Sequence, residues 1–191
     1  EKMGGLNLIR VWIPSLLHSS VKNSAISNFS FLISSLFPIL FVKPKPDVIF
    51  AFEPNLFSII PAYFYSKLRG GIVIRVVDDI WPESLYEQGI LKSNFLKKLL
   101  TRLAKFSYTY PKHILPLNDE VKETINKSYG ISNDKIDVIS HGIDEETFTF
   151  NNKERQKVFT LMYSGSLTNS YDFDIILDAA KKLKNKNIEF I

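Results

Sequence analysis

The stretch Ile74-Arg-Val-Val-Asp-Asp-Ile-Trp-Pro-Glu-Ser84, IRVVDDIWPES, begins as a buried strand and ends in two adjacent carboxylates, a tryptophan and a proline. A core strand does not tolerate unpaired aspartates, and a surface turn has no need of the tryptophan. The apolar run starts directly after Gly70-Gly71, as a strand does when it follows a helix stop. The acids then lie at the strand's carboxyl end, which is where open α/β sheets bind their ligands. This placement predicts a sheet-to-cleft transition at Asp78 and Asp79.

Working outward, strands are expected over residues 6–14, 48–52, 72–77, 114–117 and 135–139, with helices between them. Residues 24–42 read as a helix broken near Pro38. Glu53-Pro-Asn55 opens a helix reaching about Arg69, with Pro61 a local irregularity. Ser93 caps a helix from Asn94 to about Tyr108, with Leu96, Leu99, Leu100, Leu103 and Phe106 on one face. Asn118 caps the next, with Asp119 and Glu120 in its first turn and Gly130 just past its end. Strands alternating with helices predict an α/β fold with a doubly wound, mostly parallel, Rossmann-like sheet. Residues 151–157 are polar and read as a linker. After them, residues 158–191 spell one βαβ unit, too small to bury a core alone. The expected organisation is a first domain at 1–150, the linker, and the start of a second Rossmann-like domain at 158–191.

Composition narrows the chemistry. The 191 residues are 45% hydrophobic and 23% charged, an ordinary globular balance. The net charge of +4 is compatible with phosphates, nucleotides or an anionic membrane. Cysteine is absent, which removes thiolate catalysis, disulfides and Cys-based zinc sites and fits a reducing cytoplasm. His18, His113 and His141 lack metal-ligand spacing, so no metal is expected. The opening Glu1-Lys-Met-Gly-Gly5 does not read as a secretory leader and suggests that the first residues of the natural chain are missing. Residues 24–42 carry no charge and approach bilayer length, but serines, Asn28 and Pro38 dilute them. A core helix or one lying at a membrane interface is expected there, not a spanning one. No helix-turn-helix, zinc-finger or RNP pattern points to nucleic acid, and no G-x-G-x-x-G points to a NAD-dependent epimerase.

Four strand-end loops hold candidate site residues: Glu53-Pro-Asn55, Asp78 to Glu83, His141 to Asp144 and Ser164 to Tyr171. Asp78 and Asp79 have the chemistry to bind an acceptor hydroxyl, act as base or hold Mg²⁺. Equally, Asp79 is placed to cap the following turn while Asp78 is solvated. Trp81 suits either a pocket wall or core packing. Glu83 suits a polar ligand or the first turn of a helix. Gly165 and Ser166, like His141 and Gly142, would let backbone N–H groups approach a phosphate, or merely make a tight turn. Lys97, Lys98, Arg102 and Lys105 form a basic helix face, solvated or set against anionic lipid.

Taken together, several stretches resemble family 4 glycosyltransferases of the two-domain GT-B architecture. Lys45-Pro-Asp-Val-Ile49 looks like the family's "kPDvi" strand. Asp79-Ile-Trp-Pro-Glu-Ser84 is similar to the "D-l-W-P-e-s" segment of a branch that builds bacterial and archaeal surface polysaccharides. Leu117 to Glu123 resembles "s-e-x-x-k", and Val138 to Asp144 with Phe148 resembles "v-i-p-N-G-v-D" followed by phenylalanine. Tyr163-Ser-Gly-Ser-Leu167 looks like the first βα turn of the nucleotide-binding domain. The order is kept over most of residues 43–191. The chain departs from the family at His141, often asparagine, at Ser166, often arginine, and at Asp78, where many members carry histidine.

The resemblance implies a retaining transferase that moves a sugar from a nucleotide-sugar donor to a glycan or lipid-linked acceptor, without a metal or other cofactor. It implies a cytoplasmic protein, in reach of the inner membrane face through residues 24–42 and the basic helix. Asp79 and Asp78 are the expected catalytic or acceptor-positioning acids, with Trp81, Glu83 and Asn55 on the acceptor side. Gly165, Ser166, His141 and Gly142 are expected on the donor side. A catalytically silent carbohydrate- or nucleotide-binding domain is the competing expectation.

Overall fold

Val48–Phe52 (β3) and Ile72–Val77 (β4) pair in parallel, with Val48 opposite Ile72 and Phe52 opposite Val76. His113–Pro116 (β5) continues the parallel sheet on the other side of β4. The IRVV run therefore lies in the central strand of this three-stranded sheet. The structure is a computed structural model describing residues 2–3, 5–15, 21–53, 55–83, 86, 91, 93–149, 158–165 and 172–191. The chain forms two compact units, Glu1–Gly142 and Ile143–Ile191. The linker expected at 151–157 lies outside the described residues.

In the first unit, helix α1 (Val21–Ile39) follows a short antiparallel pair of Lys2–Met3 (β1) and Leu6–Asn7 (β2). The strand expected over 6–14 is thus two residues long. Residues 8–15 join no strand among the described residues, because pattern alone does not make a strand. Pro38 sits in the last turn of α1 without breaking it earlier, and the helix ends one residue later. Helix α2 (Ile59–Arg69) is preceded by a 3₁₀ turn, Leu56–Ser58. Pro61 is tolerated because it lies in the first helical turn, whose N–H groups have no intrahelical acceptor.

Helix α3 (Asn94–Thr109) and helix α4 (Asp119–Tyr129) have the expected caps. The Ser93 hydroxyl accepts from Leu96 N, and Asn118 Oδ1 accepts from Val121 N at 2.9 Å. Gly130 closes α4 at φ 67°, in the left-handed region. Ala51, Val73, Ile59 and Ala62 pack together under Leu103 and Phe106, so α2 and α3 cover one face of β3 and β4. Val77, Ala104, Tyr108, Ile114, Ile125 and Ile136 form the larger core between α3, α4 and the sheet. On the opposite sheet face Val48, Phe50, Phe52 and Ile72 are exposed. Of the strand expected at 135–139 only an isolated parallel bridge forms, Ile136 to Ile114, and Lys135 belongs to a 3₁₀ turn (Asn133–Lys135). Residues 136–139 still run beside β5, with Asp137 N donating to Ile114 O and Ile139 N to Pro116 O.

Gly71 shows why the helix stop before β4 needs glycine. Its φ is 92°, and a Cβ there would stand 2.8 Å from the Pro46 carbonyl oxygen. Gly71→Ala therefore combines a disfavoured backbone with a contact against immobile backbone. It should cost about 1–3 kcal/mol, measured as a lowered urea midpoint. An unchanged midpoint would show that the α2–β4 corner relaxes freely.

The second unit is the expected βαβ: Phe159–Leu161 (β6), helix α5 (Phe173–Lys182) and Ile188–Phe190 (β7), with the two strands parallel. Asp172 caps α5 by accepting from Asp174 N.

Candidate functional site

The site rests on a charged pair inside the sheet. Arg75 points to the buried face of β4, where Ala51 of β3 is its strand neighbour. Its Nη2 lies 2.6 Å from Glu53 Oε1, and both side chains are fully buried. Nη1 donates to Ser58 Oγ at 2.7 Å, and Ser58 Oγ donates to Phe52 O at 2.9 Å. The Tyr108 hydroxyl of α3 donates to Glu53 Oε1 at 3.3 Å. Four elements are thereby tied together directly below the strand ends. Burial pushes the Glu53 carboxyl up to about 7, against the pull of Arg75 and of the hydrogen bonds from Arg75 and Tyr108; the Asp79 charge pushes it further up. Burial, and then the Glu53 carboxylate beside it, hold Tyr108 well above the ordinary phenol range. It therefore stays protonated and donating.

Glu53 thus serves the scaffold. Asn55, expected on the acceptor side, caps the 3₁₀ turn by accepting from Phe57 N at 3.0 Å. Its amide oxygen is occupied in placing the chain, which accounts for an asparagine there without a ligand.

Above the pair, β4 delivers Asp78 and Asp79. Asp78 Oδ1 lies 3.7 Å from His141 Nε2, so two residues expected at the site from distant segments are brought together. The parallel run of residues 136–139 beside β5 is what carries His141 to the same end of the sheet as Asp78. Asp79 is exposed, and its Oδ1 accepts from Ile80 N at 2.8 Å. It caps the turn, as one sequence reading has it, and it also lines a pocket of about 360 Å³. Ile80, Glu83, Glu120, Val121, Thr124 and Ser128 complete that pocket between the β4 exit and α4. Glu83 Oε1 accepts from the Tyr129 hydroxyl, and Glu83 Oε2 is buried with no hydrogen-bond partner among the described residues. Burial and this hydrogen bond raise the Tyr129 phenol. The pocket offers carboxylates and hydroxyls and no basic side chain among its described lining residues. Such a surface suits a ligand rich in hydroxyl donors and disfavours an anion.

Trp81 does not face this polar pocket. Together with Phe29, Leu56, Leu96, Leu99 and Leu100 it lines a separate apolar pocket of about 280 Å³. The two-residue step from Asp79 to Trp81 therefore separates a polar wall from an apolar one.

Of the residues expected on a donor side, Gly142 has open space where a Cβ would stand, and Ser166 lies outside the described residues. Gly165 belongs to the second unit, where a Cβ would stand 2.7 Å from the Tyr163 hydroxyl. That ring packs edge-on against Phe173 at 5.2 Å, so local packing by itself asks for a small residue at 165. Among the described residues no group of three acidic or histidine side chains is placed to hold a metal ion.

Sequence reasoning missed Arg75, Tyr129, Thr124 and Ser128. Arg75 had a readable signal: an arginine in the middle of an apolar central strand requires a buried counter-charge. The helix α4 residues had none, since their role depends on where α4 lands. No protein-family model matches the chain, and no curated protein matches it either.

Proposed function

We propose that the chain is the acceptor-side domain, with the beginning of the donor-side domain, of a retaining family 4 glycosyltransferase of GT-B architecture. It would transfer a sugar from a nucleotide-sugar to a glycan or lipid-linked acceptor in the synthesis of surface polysaccharide or glycoconjugates. The observation that carries the reading is the polar pocket at the carboxyl end of the central strand, where Asp79 and Glu83 face space suited to sugar hydroxyls. The ordered D-I-W-P-E-S and S-H-G-I-D segments support it, since the residue just before the first, Asp78, lies 3.7 Å from His141 of the second, which puts both segments at one end of the sheet.

In this reading the donor's anomeric C–O bond breaks and its electron pair leaves with the diphosphate. The acceptor oxygen bonds to the anomeric carbon on the same face, and its proton passes to a carboxylate. Asp79 is the residue assigned to that contact, with Asp78 positioning and Glu83 holding a second hydroxyl. Within the first unit, the backbone N–H groups of His141 and Gly142 are the ones assigned to a leaving phosphate.

The test is transfer from radiolabelled nucleotide-sugars by the full natural protein, with cell-envelope glycans and glycolipids as acceptors. Labelled product with retained anomeric configuration is expected. Saturable binding of sugar with no turnover of any donor would replace this reading with that of a silent binding domain.

A further inference from the structure

Helix α1 is built inside out. Its inward face holds Ser27 and Ser35, 4% and 6% exposed, with Leu32. Its outward face runs Ile26, Phe29, Ile33 and Phe37, at the spacing of one helical stripe. Phe29 is 57% and Phe37 71% exposed. A surface helix in water shows the opposite arrangement. Phe41, two residues beyond the helix end, extends the exposed apolar row.

Helix α3 shares the apolar pocket with α1, where Phe29, Leu96 and Leu99 are all lining residues. It adds exposed Phe95, Leu96 and Leu99 to the same surface. Lys98, Arg102 and Lys105 follow on the adjoining outer stripe of α3 at i, i+4 and i+7. Neither α1 nor α3 contains a single aspartate or glutamate. The surface is therefore apolar in its middle, basic along one side and free of helix-borne acid. A soluble protein partner would need a matching apolar face and acids in register. An anionic lipid surface supplies both everywhere, with headgroup phosphates above hydrocarbon.

We propose that the α1–α3 surface docks on an anionic bilayer, with α1 lying in the interface plane. Phe29, Ile33 and Phe37 enter the acyl region, and Lys98, Arg102 and Lys105 contact headgroup phosphates. No helix among the described residues is long and apolar enough to cross a membrane, so attachment is peripheral in this region. The proposal rests on exposure and charge and stands whether or not the transferase reading does.

The whole chain is mixed with vesicles of phosphatidylcholine alone, or of phosphatidylcholine and phosphatidylglycerol in equal parts, and floated on a density gradient. Flotation with the anionic vesicles is expected, weakening as salt rises. Each basic side chain near the surface contributes roughly fivefold in affinity, so Lys98→Gln with Arg102→Gln should weaken binding by about 25-fold. Phe29→Ser with Phe37→Ser should remove at least about tenfold per ring. Circular dichroism and urea midpoints check that these exposed-site variants remain folded. No flotation with either vesicle overturns the proposal, as does flotation unchanged in both double variants. Concentration-dependent dimerisation abolished by Phe29→Ser with Phe37→Ser, without flotation, would assign the surface to a second copy instead.

Discussion

Arg75→Met should destabilise the chain by about 3–5 kcal/mol near pH 8, the cost of leaving a buried carboxylate without its cation. Glu53 has no exposed side-chain surface to turn towards water, and its other partner, Tyr108, carries no charge. Methionine fills the arginine's volume, so a cavity contributes little. The penalty also has a direction in pH. The folded-state carboxyl of Glu53 titrates at about 7, above its ordinary 4.5. Between those values the folded chain keeps a proton that the unfolded chain has released. Stability from this group is therefore present in full below 4.5, falls as pH rises through the window and levels off above 7, a change of roughly 3 kcal/mol. Removing Arg75 removes the main pull on that carboxyl, so the decline continues to higher pH. The variant should accordingly be much nearer to wild type at pH 5 than at pH 8. Urea midpoints across that range check this, and a penalty independent of pH would show that Glu53 does not titrate within the pair. Arg75→Met combined with Glu53→Leu should recover much of the loss, since an apolar pair of similar volume replaces the ion pair without stranding either charge.

The same pair explains which parts of this fold could be read in advance. Helix starts and stops were legible because their causes are local. Ser93, Asn118 and Gly130 act within one turn of themselves, and each is found in the predicted role. The central strand was legible because Ile72 to Val77 is apolar without interruption, apart from the arginine. The edges were not: residues 6–14 are β-rich and partly alternating, yet pairing depends on a neighbour that sequence pattern does not reveal. The site divides along the same line. Asp78, Asp79 and His141 could be placed at strand ends by counting elements. The division between a polar wall at Asp79 and an apolar wall at Trp81 could not, because it depends on how the chain turns after β4 and on which helices stand to either side. The scaffold role of Glu53 was hidden for a related reason. A glutamate beside a proline at a strand end looks like a ligand residue until its tertiary partner, 22 positions away, is known.

On the proposed transferase reading, Asp79→Asn should lower kcat/KM for sugar transfer by about 100-fold or more in the full natural protein, with almost no change in stability. Asparagine is chosen because Asp79 has two separable tasks. Its Oδ1 accepts from Ile80 N, and an amide oxygen does the same. What asparagine lacks is the negative charge and the ability to take a proton from an acceptor hydroxyl. The substitution therefore preserves the turn and removes the chemistry, whereas Asp79→Ala removes both. Asp79 is exposed, so no buried partner is stranded and the urea midpoint should stay within about 0.5 kcal/mol of wild type. A second effect follows from the geometry below. The Asp79 charge raises the Glu53 carboxyl, so its loss should move the pH window of stability slightly downward. That shift reports that the variant has lost its charge at the right place even if activity is unaffected. Should kcat/KM stay at the wild-type value while the stability window moves, Asp79 is a cap and nothing more. The acceptor contact would then have to be sought at Glu83, which lines the same pocket.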